Sequence, residues 1–157
     1  FELTVTESSI FLLLVARRLL TCFKRDDPIY RCWRVASDYV LGESTASLVN
    51  AYRSECRSAH TGFRNHVVNA VWHAIKPVTS TDAVFTVWRE VSISLAWARH
   101  LVRKFGATSE RLDICNLHSP YNFAIFLDIA DLRIDEDTLR YVRDRSRHVN
   151  LLIPKQR

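Results

Sequence analysis

Three groups of side chains in this 157-residue chain have the types needed for chemistry. Arg99 lies in LAWARHLVRKFG, residues 95–106, where apolar residues flank it at helical spacing. Arg53 and His60 form a second group, since a guanidinium and an imidazole can stabilise and protonate a phosphate transition state. The third group is four cysteines, at positions 22, 32, 56 and 115. A charged residue on a helix that otherwise favours burial raises the question of what Arg99 binds.

The cysteines and histidines predict neither a metal site nor a cofactor. No two cysteines form a CxxC pair, and Cys32 and Cys56 fall on apolar helical stripes, so we expect buried free thiols in a reducing compartment. His66 and His73 lie two turns apart, but no carboxylate stands at ligand spacing from them. Because the chain also lacks a nucleotide-binding loop and a nucleophile beside a base, we do not expect an enzyme.

Composition and charge indicate one helical globular domain. Apolar residues make up 48% of the chain and charged residues 25%, and only three Gly and four Pro interrupt it. The net charge of +5 permits a nucleic-acid partner, yet the only basic cluster, residues 140–147, fits a solvated helix face better. The apolar run at 10–16 is too short to cross a bilayer, so we expect at most an indirect membrane association.

Apolar periodicity then places the elements that must position these side chains. The predicted helices cover about 7–24, 28–41, 44–61, 63–76, 82–91, 92–108, 120–132 and 135–145, with an apolar tail at 149–153. Helices 92–108 and 120–132 are apolar on more than one face, which favours the interior of a helical domain. The pattern therefore predicts an all-α bundle, with a central hydrophobic helical hairpin wrapped by amphipathic helices.

This arrangement, with LAWAR opening a central helix, resembles the Bcl-2 family of apoptosis regulators. The first homology motif of that family is similar to Asn-Trp-Gly-Arg; Trp97, Ala98 and Arg99 fit its last three places, and Ala96 stands where Asn is usual. The second motif resembles residues 141–148 in position and aromatic character, although only its Asp is identical here. IYRCWRVASDYVLG, residues 29–42, looks like the family's first helix in pro-survival members.

Two details of the alignment stay open. For the third homology motif, WRVASD at 33–38 keeps the usual Asp, whereas LVNAYR at 48–53 fits the spacing better and puts Arg53 in its place; we take the second. For the first motif, a rival register aligns residues 94–96 with Asn-Trp-Gly, puts Trp97 in the arginine position and breaks the spacing to Tyr141.

The resemblance implies a function in protein–protein recognition. In this family a groove binds the amphipathic BH3 helix of a pro-apoptotic partner, and Arg99 would pair with the Asp of that helix. Ala98 would allow close helix approach. The other implied ligand-binding residues are Trp97, Phe63, Val67, Val71, Val84, Val87, Trp88 and Leu101.

The chain is expected to act as a receptor for BH3 helices, because Arg53 replaces the Asp that a BH3 donor presents. It resembles the compact pro-survival homologues of large DNA viruses, which implies an inhibitor of apoptosis in the cytoplasm that reaches the mitochondrial surface through its host partners. We assign residues 1–26 to an N-terminal helical extension and 27–157 to the Bcl-2-like domain, within a single globular domain overall. The extension either covers the core or mediates a homodimer.

The sequence is also compatible with two other functions. Arg53 and His60, with six residues between them, resemble the RxxxxxxH pattern of small helical ribonucleases. A basic nucleic-acid-binding helical domain would instead use the arginines at 140, 143, 145 and 147, although no aromatic platform or recognition helix accompanies them.

Overall fold

The part of the chain that the computed structural model describes is entirely helical, without strands. It covers residues 3–20, 23, 25–59, 66–105 and 135–152, with side chains as far as residue 58 in the third helix, 100 in the fifth and 147 in the last. Its helices are α1 (Val5–Leu20), α2 (Pro28–Val40), α3 (Ala46–Ala59), α4 (His66–Ala74), α5 (Thr81–Phe105) and α6 (Glu136–Leu152). The all-α prediction is confirmed at this level.

Short polar side chains set the beginnings of the helices. Asp27 accepts a hydrogen bond from the Ile29 amide, and Pro28 occupies the first turn of α2, where its missing N–H costs nothing. Ser80 caps α5 by accepting from the Ala83 amide. The cap of α3 is Thr45, one residue beyond the predicted Ser44, because the Thr45 hydroxyl accepts from the Leu48 amide.

The N-terminal helix α1 lies in the middle of the described fold. It packs against α2, α4, α5 and α6, and most of its side chains are buried. Its buried apolar residues are Ile10, Phe11, Leu12, Leu13, Val15, Ala16, Leu19 and Leu20. Residues 5–20 therefore share one core with the later helices, as the first of the two roles predicted for the extension requires, and the homodimer stays a prediction.

Polar contacts fix α1 from both sides. Trp33 of α2 donates its indole N–H to the Leu13 carbonyl at 2.9 Å. Glu7 accepts from the Arg143 guanidinium of α6 at 3.2 Å. The first bond joins α1 to the next helix and the second joins it to the last described helix, so together they set the rotation of α1 within the bundle as well as its position.

Two predicted boundaries are corrected. The helices predicted at 82–91 and 92–108 are one continuous α5, because no Gly or Pro interrupts it and its buried row runs on through Val87, Val91, Leu95 and Ala98. The short helix predicted to end at Arg145 continues to Leu152 and takes in most of the predicted apolar tail. The predicted helix at 120–132, the second half of the central hairpin, lies outside the described residues.

Candidate functional site

The predicted binding motif lies on α5 at the boundary between the core and the surface. Ala98 is fully buried beside the equally buried Leu95, whereas Arg99 is half-buried and Trp97 is 54% exposed. Three consecutive residues thus point in three directions, as a helix requires. Ala98 lies where close helix packing needs a small residue, and Arg99 is within reach of solvent at the edge of the core.

The predicted groove walls lie beneath α1. Val67 and Val71 of α4 and Val87 of α5 are closed to solvent in the same core cluster as the α1 side chains. The Trp88 ring is stacked on Phe11 of α1, with ring centroids 5.1 Å apart. In this conformation Trp88 is half-buried against Phe11 of the chain's own first helix, and the three valines are buried in the core that α1 shares, so a ligand could reach the valines only if this core opened.

Three further residues were predicted to line the groove: Val84, Phe63 and Leu101. Val84 is half-buried and packs against the core on the same side of α5 as Trp88. Phe63 lies outside the described residues, and Leu101 belongs to the part of α5 whose side chains are not described.

The opposite face of α5 carries a row of exposed side chains, of which the sequence analysis assigned only Trp97 to the site. Phe85, Arg89, Ile93 and Trp97 follow one another at steps of four, and we call this row the α5 ridge. Its apolar members are 70%, 45% and 54% exposed, in chain order. The signal was present in the sequence: Ile93 and Trp97 form part of the second apolar stripe of this segment, which the prediction placed in the interior.

Aromatic contacts hold the end of the α5 ridge in place. The Trp97 ring stacks on His66 of α4 with centroids 6.2 Å apart, and the ring of His100 meets it edge-on at 6.0 Å. Partial burial disfavours the charged imidazolium and lowers the pKa of His66. Trp97 is therefore an exposed aromatic side chain whose orientation is restrained before any partner binds.

Arg53 occupies a different environment from the one that phosphate chemistry needs. Its guanidinium carbon lies 3.8 Å from the centre of the Trp72 ring, its Nε donates to the Trp72 carbonyl, and the Trp72 indole donates back to the Arg53 carbonyl. Burial lowers the pKa of Arg53 to about 10, although the side chain remains a cation at neutral pH. Arg53 thus ties α3 to α4 inside the protein, and His60 lies outside the described residues.

Next to Arg53, the two described cysteines match the expectation of buried free thiols. Cys32 of α2 and Cys56 of α3 are fully buried and unbridged. Burial is the main reason that the pKa of each thiol is raised, to about 12. Both are therefore protonated and unreactive near neutral pH.

The basic cluster of α6 makes contacts within the protein. Arg143 pairs with Glu7, Arg147 lies 3.9 Å from Asp144, and Arg145 donates to the Tyr141 hydroxyl. These contacts engage three of the four arginines that a nucleic-acid surface would use, Arg140 is exposed, and the arrangement fits the alternative of a solvated helix face.

Comparisons with protein-family models, with curated proteins and with solved structures find no match to this chain. Over the described ranges, no helix is both long enough and apolar enough to cross a bilayer. The same ranges contain no group of three or more His, Cys, Asp or Glu side chains that could hold a metal ion.

Proposed function

We propose that this protein inhibits apoptosis by binding and sequestering the amphipathic BH3 helices of pro-apoptotic proteins. The observation that carries the proposal is the position of Arg99, half-buried at the core boundary beside the fully buried Ala98. A guanidinium at such a boundary suits a carboxylate on an incoming helix, because the helix shields the ion pair from water as it binds. The resemblance to the Bcl-2 family motifs around Trp97–Arg99 supplies the class of partner.

The test is a calorimetric titration of the whole protein with a panel of BH3 peptides. We expect at least one peptide to bind. For that peptide, Asp→Ala in the peptide and Arg99→Ala in the protein should each cost about 2 kcal/mol, roughly 30-fold in Kd. The two changes together should cost little more than either alone, because they remove the same contact.

Arg31→Ala is the matched control, since it removes an exposed arginine from α2, away from α5. It should leave the affinity unchanged. The proposal fails if no BH3 peptide binds. Binding that is indifferent to Arg99 would favour the rival register, with Trp97 in the arginine position. As a cellular readout, the protein should suppress mitochondrial permeabilisation caused by the same peptide, and Arg99→Ala should abolish that suppression.

A further inference from the structure

We infer that the α5 ridge, and not the surface beneath α1, receives the partner helix, and that it selects an amphipathic helix with acidic residues beside its apolar stripe. This inference rests on the proposed function and names the contact surface and the chemistry of its ligand. It starts from two facts: the predicted groove residues Val67, Val71 and Val87 are buried in the core that α1 shares, and the opposite face of α5 exposes Phe85, Ile93 and Trp97.

The spacing of the α5 ridge fits a helical partner. Isolated apolar side chains on a surface are ordinary, but Phe85, Ile93 and Trp97 belong to one row of residues four apart. From Phe85 to Trp97 the row extends about 18 Å along the axis, which is about three helical turns. A partner helix with apolar residues at every third or fourth position would place one of them near each exposed side chain.

The charge of this face determines which helix fits. Arg89 is exposed between Phe85 and Ile93. Arg99 lies two residues after Trp97, so it is on a different side of α5 from the end of the ridge, and Arg89 is the cation within the ridge itself. The protein as a whole carries +5. A helix with Asp or Glu flanking its apolar stripe would meet Arg89, whereas a basic helix would be repelled.

Trp97 adds a preorganised anchor at one end. Because His66 and His100 already contact its ring, little side-chain entropy remains to be lost when a partner covers it. Tryptophan and arginine are also the side chains most enriched among residues that dominate binding at protein interfaces.

A second copy of the chain is a poorer occupant. In a two-fold symmetric contact centred on the ridge the same face lies on both sides, so Arg89 of one α5 would approach Arg89 of the other.

The probe is a synthetic 20-residue helix with Leu or Ile at every third and fourth position and Asp or Glu beside that stripe; a second peptide replaces the acids by Asn and Gln. Phe85→Ser and Ile93→Ser should each weaken binding of the acidic peptide by about tenfold or more. Leu48→Ser is the matched control, because Leu48 of α3 is 45% exposed, as Ile93 is. It should change Kd by less than about twofold.

The charge of the ligand is tested with Arg89→Glu, and Arg31→Glu is its control. Arg89→Glu should weaken the acidic peptide by about tenfold more than the amide peptide, whereas Arg31→Glu should affect both peptides slightly and equally. Unchanged thermal unfolding of the variants would show that they fold.

The outcomes separate the two proposals. If BH3 peptides bind through Arg99 while the Phe85, Ile93 and Arg89 variants behave like their controls, the α5 ridge is not the docking surface and the proposed function stands. If neither the BH3 panel nor the synthetic acidic helix binds, both fail. A dimer of the unliganded protein that Ile93→Ser dissociates would assign the α5 ridge to self-association and overturn the inference.

Discussion

The helices α1 and α5 are both rich in large apolar residues, but the protein uses them in opposite ways. α1 is enclosed by α2, α4, α5 and α6, and its side chains are the centre of the core. α5 buries one row against α1 and α4 and exposes Phe85, Ile93 and Trp97 on the other side. Apolar content alone therefore does not locate a helix in this fold; the number of helices packed around it does.

The difference has a functional consequence. An apolar face that neighbouring helices cover contributes to folding, whereas one that remains exposed in the monomer costs solubility and is available for recognition. Substitutions in α1 should therefore act on the free energy of unfolding, and substitutions in the α5 ridge should act on binding with little effect on folding.

The largest expected effect comes from a cavity in α1. Leu19 is fully buried, so Leu19→Ala should lower the free energy of unfolding by about 2 to 5 kcal/mol, measured by urea denaturation. The exposed Leu48→Ala in α3 is the control and should cost less than about 0.5 kcal/mol. If both variants lost equally little free energy of unfolding, α1 would lie at the edge of the core and not in its middle.

The next effect concerns the polar contacts of α1. Burial opposes the charge of Glu7, but hydrogen bonds from Thr4 and Arg143 and the positive charge of Arg143 outweigh it and lower the pKa of Glu7 below 4.5. The folded pKa is thus below the unfolded value. Its stabilising contribution is complete above about pH 4.5 and is lost as the pH falls through the folded pKa.

Glu7→Gln should therefore cost about 1 to 2 kcal/mol at pH 7 and much less at pH 3. Urea unfolding of both proteins across that pH range measures the difference. Thr4→Ala should reproduce part of the loss, since Thr4 and Glu7 bond to each other at the start of α1. A loss that is the same at pH 3 and pH 7 would argue against an ionised Glu7.

The contact between α1 and α5 should have a smaller effect on the free energy of unfolding. A double-mutant cycle with Phe11→Leu and Trp88→Leu should yield a coupling energy of about 0.5 to 1.5 kcal/mol, because the rings are stacked. Thermal or urea unfolding of the four proteins measures it. If the two losses of unfolding free energy were additive, the Phe11 and Trp88 rings would not be in contact. The surface beneath α1 would then again be a candidate binding groove.

The smallest expected effect is at the α5 ridge. Phe85 is 70% exposed, so Phe85→Ser should change the free energy of unfolding by less than about 0.5 kcal/mol while weakening peptide binding. The corresponding change in α1, Phe11→Ser, should instead be strongly destabilising because Phe11 is buried. A loss above about 1 kcal/mol for Phe85→Ser would show that part of the protein covers this side chain.

Much of the local structure could be read from short stretches of sequence. Asp27-Pro28 marks the start of α2, and Gly42 follows its end with a φ of 82°, a conformation that glycine adopts without strain. The start of α1 was also readable, since TVTE at residues 4–7 is a capping box whose Thr and Glu bond reciprocally. These features depend on neighbours within a few residues.

The sequence by itself determined that this protein is helical where described, where most of those helices begin, and that Cys32 and Cys56 lie inside. Only the tertiary structure decided that α1 lies in the middle of the core and that Ile93, Ala96 and Trp97 of the second apolar stripe of α5 face outward. Helix formation and capping are local, whereas burial depends on which distant helices cover a given face. The periodicity of one helix does not indicate which other helices pack against it. Arg99 could therefore be singled out from the sequence, but the surface around it could not be predicted.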